Sequence, residues 1–161
     1  MKKTLLTIAS ACVIIVFLTA YSSNPNGSRL GYLAPNFSIE NDSCRVELQQ
    51  KKGNYVLLTF WNSVDAESRI ANVLYDRAVR DMKGVDYVAI NFDRSYGVYR
   101  EVVKIDGVDN ASQFYGRGGN ESNIYLRYGL KKGMKSILLD KTGNVVAENP
   151  NPNEFKRLIG Q

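Results

Sequence analysis

Apolar residues in this chain fall into one long run followed by a series of short ones. Leu5 to Ala20 is almost uninterrupted apolar sequence behind the basic start Met1-Lys2-Lys3, and the polar stretch Ser22 to Ser28 follows it. From Asn36 onward, short apolar runs alternate with helical periodicity. Phe37 to Glu40 and Cys44 to Leu48 read as the two arms of a hairpin around Asn41-Asp42-Ser43. Tyr55 to Trp61 is nearly continuous apolar sequence, as expected of a strand buried on both faces. Ile70, Val73, Leu74, Ala78 and Met82 then recur at helical spacing and predict an inward face, with Arg69, Asn72, Asp76, Arg80 and Asp81 over much of the remainder. Lys83-Gly84 predicts where that helix stops, a cation in the last turn and a glycine just past it.

Val85 to Phe92 reads as a second buried strand. Ser95 to Ile105 predicts a helix carrying Val98, Val102, Val103 and Ile105 inward. Residues 106 to 119, rich in glycine, predict a loop, and Ile124 to Leu130 a short helix. Ser136 to Leu139 and Asn144 to Ala147 form the arms of a second hairpin about Asp140-Lys141-Thr142-Gly143. Asn151-Pro152-Asn153-Glu154 starts a last helix, with a cap and a proline at the first helical position, which docks through Phe155, Leu158 and Ile159.

At 161 residues the chain holds one ordinary domain and a leader. Residues 1–22 have the order of a bacterial secretory signal, residues 23–34 read as a polar linker, and residues 35–161 form the domain. Three endings of the leader stay open. Ala20-Tyr21-Ser22 offers a small-x-small cleavage site, residues 4–21 nearly suffice for an uncleaved anchor, and Leu18 to Ser23 is similar to a lipoprotein box with tyrosine in place of its cysteine. The expectation is the periplasmic side of a bacterial membrane, with membrane contact only through this segment.

Charge narrows the partners. The formal charge of +5 falls to +3 without Lys2 and Lys3, and the basic residues are scattered. Lys51-Lys52 and Lys131-Lys132-Lys135 lack aromatic interleaving, so no nucleic-acid partner is expected. The chain has no histidine, which removes the commonest general base near neutral pH and most zinc patterns, so no metal site and no cofactor are expected. Of its two cysteines, Cys12 lies in the leader and Cys44 stands alone in the domain, where a dithiol cycle needs two.

The element order, a hairpin, then βαβ, an irregular helical stretch, a second hairpin and a closing helix, is that of the thioredoxin-like fold. The segments "APNFSIEND", "YVLLTFWNSVDAESR" and "MKSILLDKTGNVV" resemble landmarks of exported thioredoxin-like oxidoreductases of the redoxin and antioxidant-peroxidase branch. The resemblance covers roughly residues 34 to 161 and implies an α/β domain: a central mixed sheet flanked by helices, with an N-terminal β-hairpin extension. In active relatives a Cys-x-x-Cys pair follows Phe-Trp at the helix start. Counting from Phe60-Trp61 places Asp65 and Ser68 at those two positions, with Arg69 as the basic residue that often follows and Val64 where tryptophan is frequent. The relatives' cis-proline corresponds to Met134, where a trans peptide is expected because a cis bond there costs about 2.5–4 kcal/mol.

A helix start stabilises a thiolate through its free N–H groups and positive dipole end. A carboxylate at Asp65 caps the helix there but forms no mixed disulfide. The expectation is therefore a redox-inactive binding or scaffold module. Its groove would be formed by Trp61, Val64, Asp65 and Met134 and would take an envelope protein or peptide. The alternative is an oxidoreductase or peroxidase with residual activity, acting through the lone thiol of Cys44. A third reading is loss of function with nothing bound in its place.

Overall fold

The computed structural model describes residues 29–160, so the leader and its fate lie outside the described residues. A small antiparallel hairpin of β1 (Ser38–Glu40) and β2 (Arg45–Glu47) precedes the main sheet. Then come β3 (Tyr55–Trp61), α1 (Ala66–Val79), β4 (Val85–Asn91), α2 (Tyr96–Asp106), β5 (Gln113–Tyr115), α3 (Asn123–Arg127), β6 (Ser136–Leu139), β7 (Val145–Glu148) and α4 (Phe155–Leu158). The five-stranded sheet runs β5-β4-β3-β6-β7, with β3, β4 and β5 parallel and β6 and β7 antiparallel to their neighbours.

Alternation along β3 sets the two faces of the molecule. Val56, Leu58 and Phe60 pack with Phe37, Val46 and Leu48 of the hairpin region and with Tyr128 and Leu130 beyond α3. Leu57 meets Tyr75, Leu138 and Phe155 on the opposite face, under α1 and α4. Trp61, on that same face, packs under α2 against Ala89, Tyr99, Val102 and Val103. The continuous apolar run of β3 thus reflects cover on both sides.

Helix α1 departs from its predicted orientation. Ile70 and Leu74 face solvent, while Asn72 and Asp76 are buried. The reason is that both polar side chains find partners inside. Asn72 and Gln113 exchange amide hydrogen bonds at 3.2 and 3.1 Å, and the Tyr87 hydroxyl donates to Asn72 Oδ1 at 2.7 Å. Asp76 accepts from Arg80 at 2.7 Å and from the backbone N–H of Asp109 at 3.0 Å. A buried polar group costs little once its hydrogen bonds are made. This seam joins α1 to β4, β5 and the turn before β5.

Other expectations are corrected more locally. Helix α1 ends at Val79, before Lys83-Gly84, and Met82 N–H turns back to the Val79 carbonyl. In α2 the buried residues are Tyr99, Val102 and Val103, whereas Val98 and Ile105 are exposed. Residues 106–119 contain β5, too short and polar to stand out from a loop. Of the three docking residues proposed for the last helix, Phe155 and Ile159 are buried and Leu158 is exposed. Residues 31–34 lie along the β6–β7 hairpin, where Gly31 and Ala34 N–H donate to the Val145 and Gly143 carbonyls.

The β6–β7 turn is held by Asp140. Burial pushes its carboxyl up, but hydrogen bonds from Thr142 and Asn144 outweigh that and hold it below the usual carboxylate range. A depressed folded value means the stabilisation is present above the unfolded pKa of about 3.9 and is lost as pH falls through the folded one. Asp140→Asn should therefore lower stability at neutral pH and flatten the acid limb of a pH–stability curve. In the polar seam, Asn72→Ala leaves the Gln113 amide unmatched, while the Tyr87 hydroxyl keeps only its weaker bond to the Asn72 carbonyl at 3.2 Å. The substitution should lower the unfolding free energy by about 1–3 kcal/mol, read from the urea midpoint.

Candidate functional site

At the C-terminal end of β3 the chain turns through Asn62, Ser63 and Val64 into α1. Side chains in the turn organise its backbone. Asn62 Oδ1 accepts from the N–H groups of Val64 and Asp65 at 3.2 and 2.8 Å. Ser63 donates to Asp93 Oδ1 from both its N–H and its hydroxyl, at 2.8 and 2.9 Å. Asp93 is buried at the end of β4, and its other oxygen accepts from Asn91 Nδ2 at 3.1 Å. The ends of two parallel strands are thereby tied together, the place where open α/β sheets gather their sites.

Asp65 is the N-cap of α1: its Oδ1 accepts from Ser68 N–H at 3.1 Å. The Ser68 hydroxyl returns a bond to the Asp65 carbonyl at 3.1 Å and lies 3.4 Å from the Asn62 N–H that donates to it. Arg69 makes a bidentate pair with Asp106 at the end of α2, at 2.8 and 2.6 Å. The hydrogen bond to Asp106 raises the Arg69 pKa, burial opposes it, and the nearby Asp106 and Asp93 charges add to the rise. Arg69 is therefore a fixed cation that locks the start of α1 to α2.

Across from this turn, Met134 follows Gly133 in the loop that enters β6, and the peptide between them is trans. Met134 is half-buried against the core, and its backbone N–H and carbonyl have no hydrogen-bond partner among the described residues. Between Val64 and Met134 lies a groove of about 790 Å³, lined also by the apolar side chains of Phe92, Val98 and Tyr125 and by the charged residues Asp93 and Arg94. Gly118 and Gly119 also border it. The neighbouring Gly116 is required by close approach: a Cβ there would stand 2.6 Å from the Phe92 ring and 2.9 Å from the Asn91 carbonyl.

The predicted groove residues therefore divide. Val64, 91% exposed, and Met134 line the groove together. Trp61 does not: it is 0% exposed, because strand alternation turns it under α2. Its indole Nε1 has no hydrogen-bond partner among the described residues. Asp65 turns its carboxylate back onto the helix and does not line the groove. Cys44 lies just before β2 and is exposed, with its Sγ donating to the Ala111 carbonyl at 3.7 Å. Phe92 and Val98, read in the sequence as a strand end and an inward helix residue, line the groove with Arg94 and Tyr125, none of which was assigned to it; the available signal was their position just past the end of β4 and at the start of elements that follow it.

Chemical options at the groove are few. Among the described residues no group of three or more His, Cys, Asp or Glu side chains could hold a metal ion. Burial, with the nearby Tyr96 and Asp42, pushes the Tyr99 phenol beside the site up to about 12, so it stays protonated at neutral pH. What remains is a capped helix start, an apolar groove and an open stretch of backbone.

A helix start after a central strand, facing the loop into the adjoining antiparallel strand, is the arrangement that defines thioredoxin-like domains. A thioredoxin-like protein from Parabacteroides distasonis is 31% identical, with a TM-score of 0.73 over 84% of this chain and 97% of that one. The thioredoxin domain of a thiol-disulfide oxidoreductase from Bacteroides vulgatus is 20% identical, with a TM-score of 0.69 over 81% and 98%. A thiol:disulfide interchange protein from a Bacteroides species is 19% identical, with a TM-score of 0.71 over 83% and 92%. No family model matches the sequence, and no curated protein matches it. The chain belongs to the thioredoxin-like family.

The cap supplies a direct test of the local geometry. Asp65→Ala should cost about 1 kcal/mol of stability by removing the acceptor for Ser68 N–H, whereas Asp65→Asn or Asp65→Ser should recover most of it in thermal unfolding.

Proposed function

We propose that this chain is a redox-inactive thioredoxin-like binding module of the bacterial cell envelope, whose groove takes a segment of a partner protein. The observation that carries the reading is the commitment of Asp65 and Ser68. The carboxylate caps α1 and the hydroxyl bonds the backbone, so both positions serve the fold. Thiol-disulfide exchange requires a thiolate to attack and a second thiol to resolve the mixed disulfide. Among the described residues the one cysteine is Cys44, which does not line the groove. The Val64–Met134 groove and the open Met134 backbone supply apolar area and main-chain pairing, which are the two ingredients of strand-like peptide capture. Placement in the envelope rests on the basic start and the apolar run of the leader.

The solved relatives include thiol-disulfide oxidoreductases, and the exposure of Cys44 favours a second reading in which this thiol alone retains peroxidase or oxidoreductase activity. The two are separated by assay of the purified full chain. The binding-module reading expects no insulin-disulfide reduction above the dithiothreitol background and peroxide consumption unchanged by Cys44→Ser. Turnover in the first assay, or a loss on substitution in the second, would replace it with the enzyme.

A further inference from the structure

The groove lining holds two charged residues of opposite sign, and only one of them is open to a partner. Of its two charged lining residues, Asp93 is buried, and its carboxylate accepts from Ser63 N–H, the Ser63 hydroxyl and Asn91 Nδ2. Arg94 is exposed, and its guanidinium has no hydrogen bond or ion pair among the described residues. Lys131, Lys132 and Lys135, near Met134 in sequence, do not line the groove, and Lys135 is taken up by Glu148 at 3.1 Å. The lining carries no open carboxylate to compensate. The volume of about 790 Å³ lies within the roughly 300–1,000 Å³ of ordinary ligand pockets.

We propose that the groove selects an extended partner segment carrying an apolar residue beside an aspartate or glutamate, with Arg94 as the group that reads the acid. This rests on the reading of the domain as a binding module. The apolar residue fills the space between Val64 and Met134. The partner's main chain pairs with the Met134 N–H and carbonyl, which fixes it as extended. Its carboxylate meets the Arg94 fork, whose planar donors suit a carboxylate better than a neutral amide. A basic segment would instead set a cation against Arg94, an arrangement that discriminates against such partners. As a rim contact, Arg94 governs choice of partner more than total affinity.

The test pans a display library of short linear peptides on the full chain, then measures enriched sequences by fluorescence anisotropy with Asp or Glu, their amides, or Lys at the flanking position. Enriched sequences should pair an apolar residue with an acid. The acidic form should bind about fivefold tighter than the amide at low salt, and the gap should close as salt rises. Arg94→Glu should reverse the order of the acidic and Lys peptides. If acidic and amide forms bind alike, or Arg94→Glu leaves the order unchanged, while Val64→Arg or Met134→Glu still abolishes binding, acid selection is wrong and the groove stands. Absence of any enrichment, or binding that survives both groove substitutions, removes the binding-module reading and this inference with it.

Discussion

Everything in this domain is referred to β3. It hydrogen-bonds to β4 on one side and β6 on the other, and from Val56 to Trp61 every residue is buried. A strand covered on both faces cannot slip by one residue without exchanging one packed set for the other, so its register is strongly specified. The register pairs Trp61 with Asn91 and Thr59 with Ser136. It thereby sets where three loops emerge at one end of the sheet: the turn into α1, the Phe92–Ser95 segment and the Met134 loop. The groove exists because those three exits lie side by side.

How far the fold is legible in the sequence depends on which constraint acts on each segment. Long apolar runs in β3, β4 and β6 announce themselves, since burial on both faces leaves little choice of residue. Helix α1 misleads because hydrophobicity is a proxy for facing inward, and here Asn72 and Asp76 are buried through specific partners. Gln113, Tyr87 and the Asp109 N–H lie 41, 15 and 33 residues away in sequence, so no local window reveals them. The same polar seam explains why β5 went unread. Its buried Gln113 breaks the apolar signature, and only the Asn72 amide makes that burial tolerable.

The candidate site was legible in the positions counted from recognisable elements and illegible in its walls. Asp65, Ser68 and Met134 can be found by counting from Phe60-Trp61 and from the Asp140 turn, because each is defined by its distance from a recognisable element. Phe92, Arg94, Val98 and Tyr125 meet only through the strand order, which brings the end of β4 and the starts of α2 and α3 to one edge. Trp61 was misplaced for a different reason. Its sequence position next to the turn suggested a groove residue, yet strand alternation fixes its side chain on the face covered by α2.

A capped helix start also changes what kind of recognition the groove can perform. In an exchange enzyme, a thiolate at this position would draw a partner through a covalent step, and the groove need only orient it. Here Asp65 consumes the N–H that would otherwise stabilise such a charge, and the Asp93–Ser63 bonds hold the turn in one shape. On the proposed binding-module reading, selectivity has to come from non-covalent terms alone. On that reading, apolar area between Val64 and Met134 would set how tightly a segment is held, main-chain pairing its conformation, and the open charge of Arg94 which segments approach. A rigid turn suits that division, because a pre-organised wall spends less of the contact energy on ordering itself when the partner arrives.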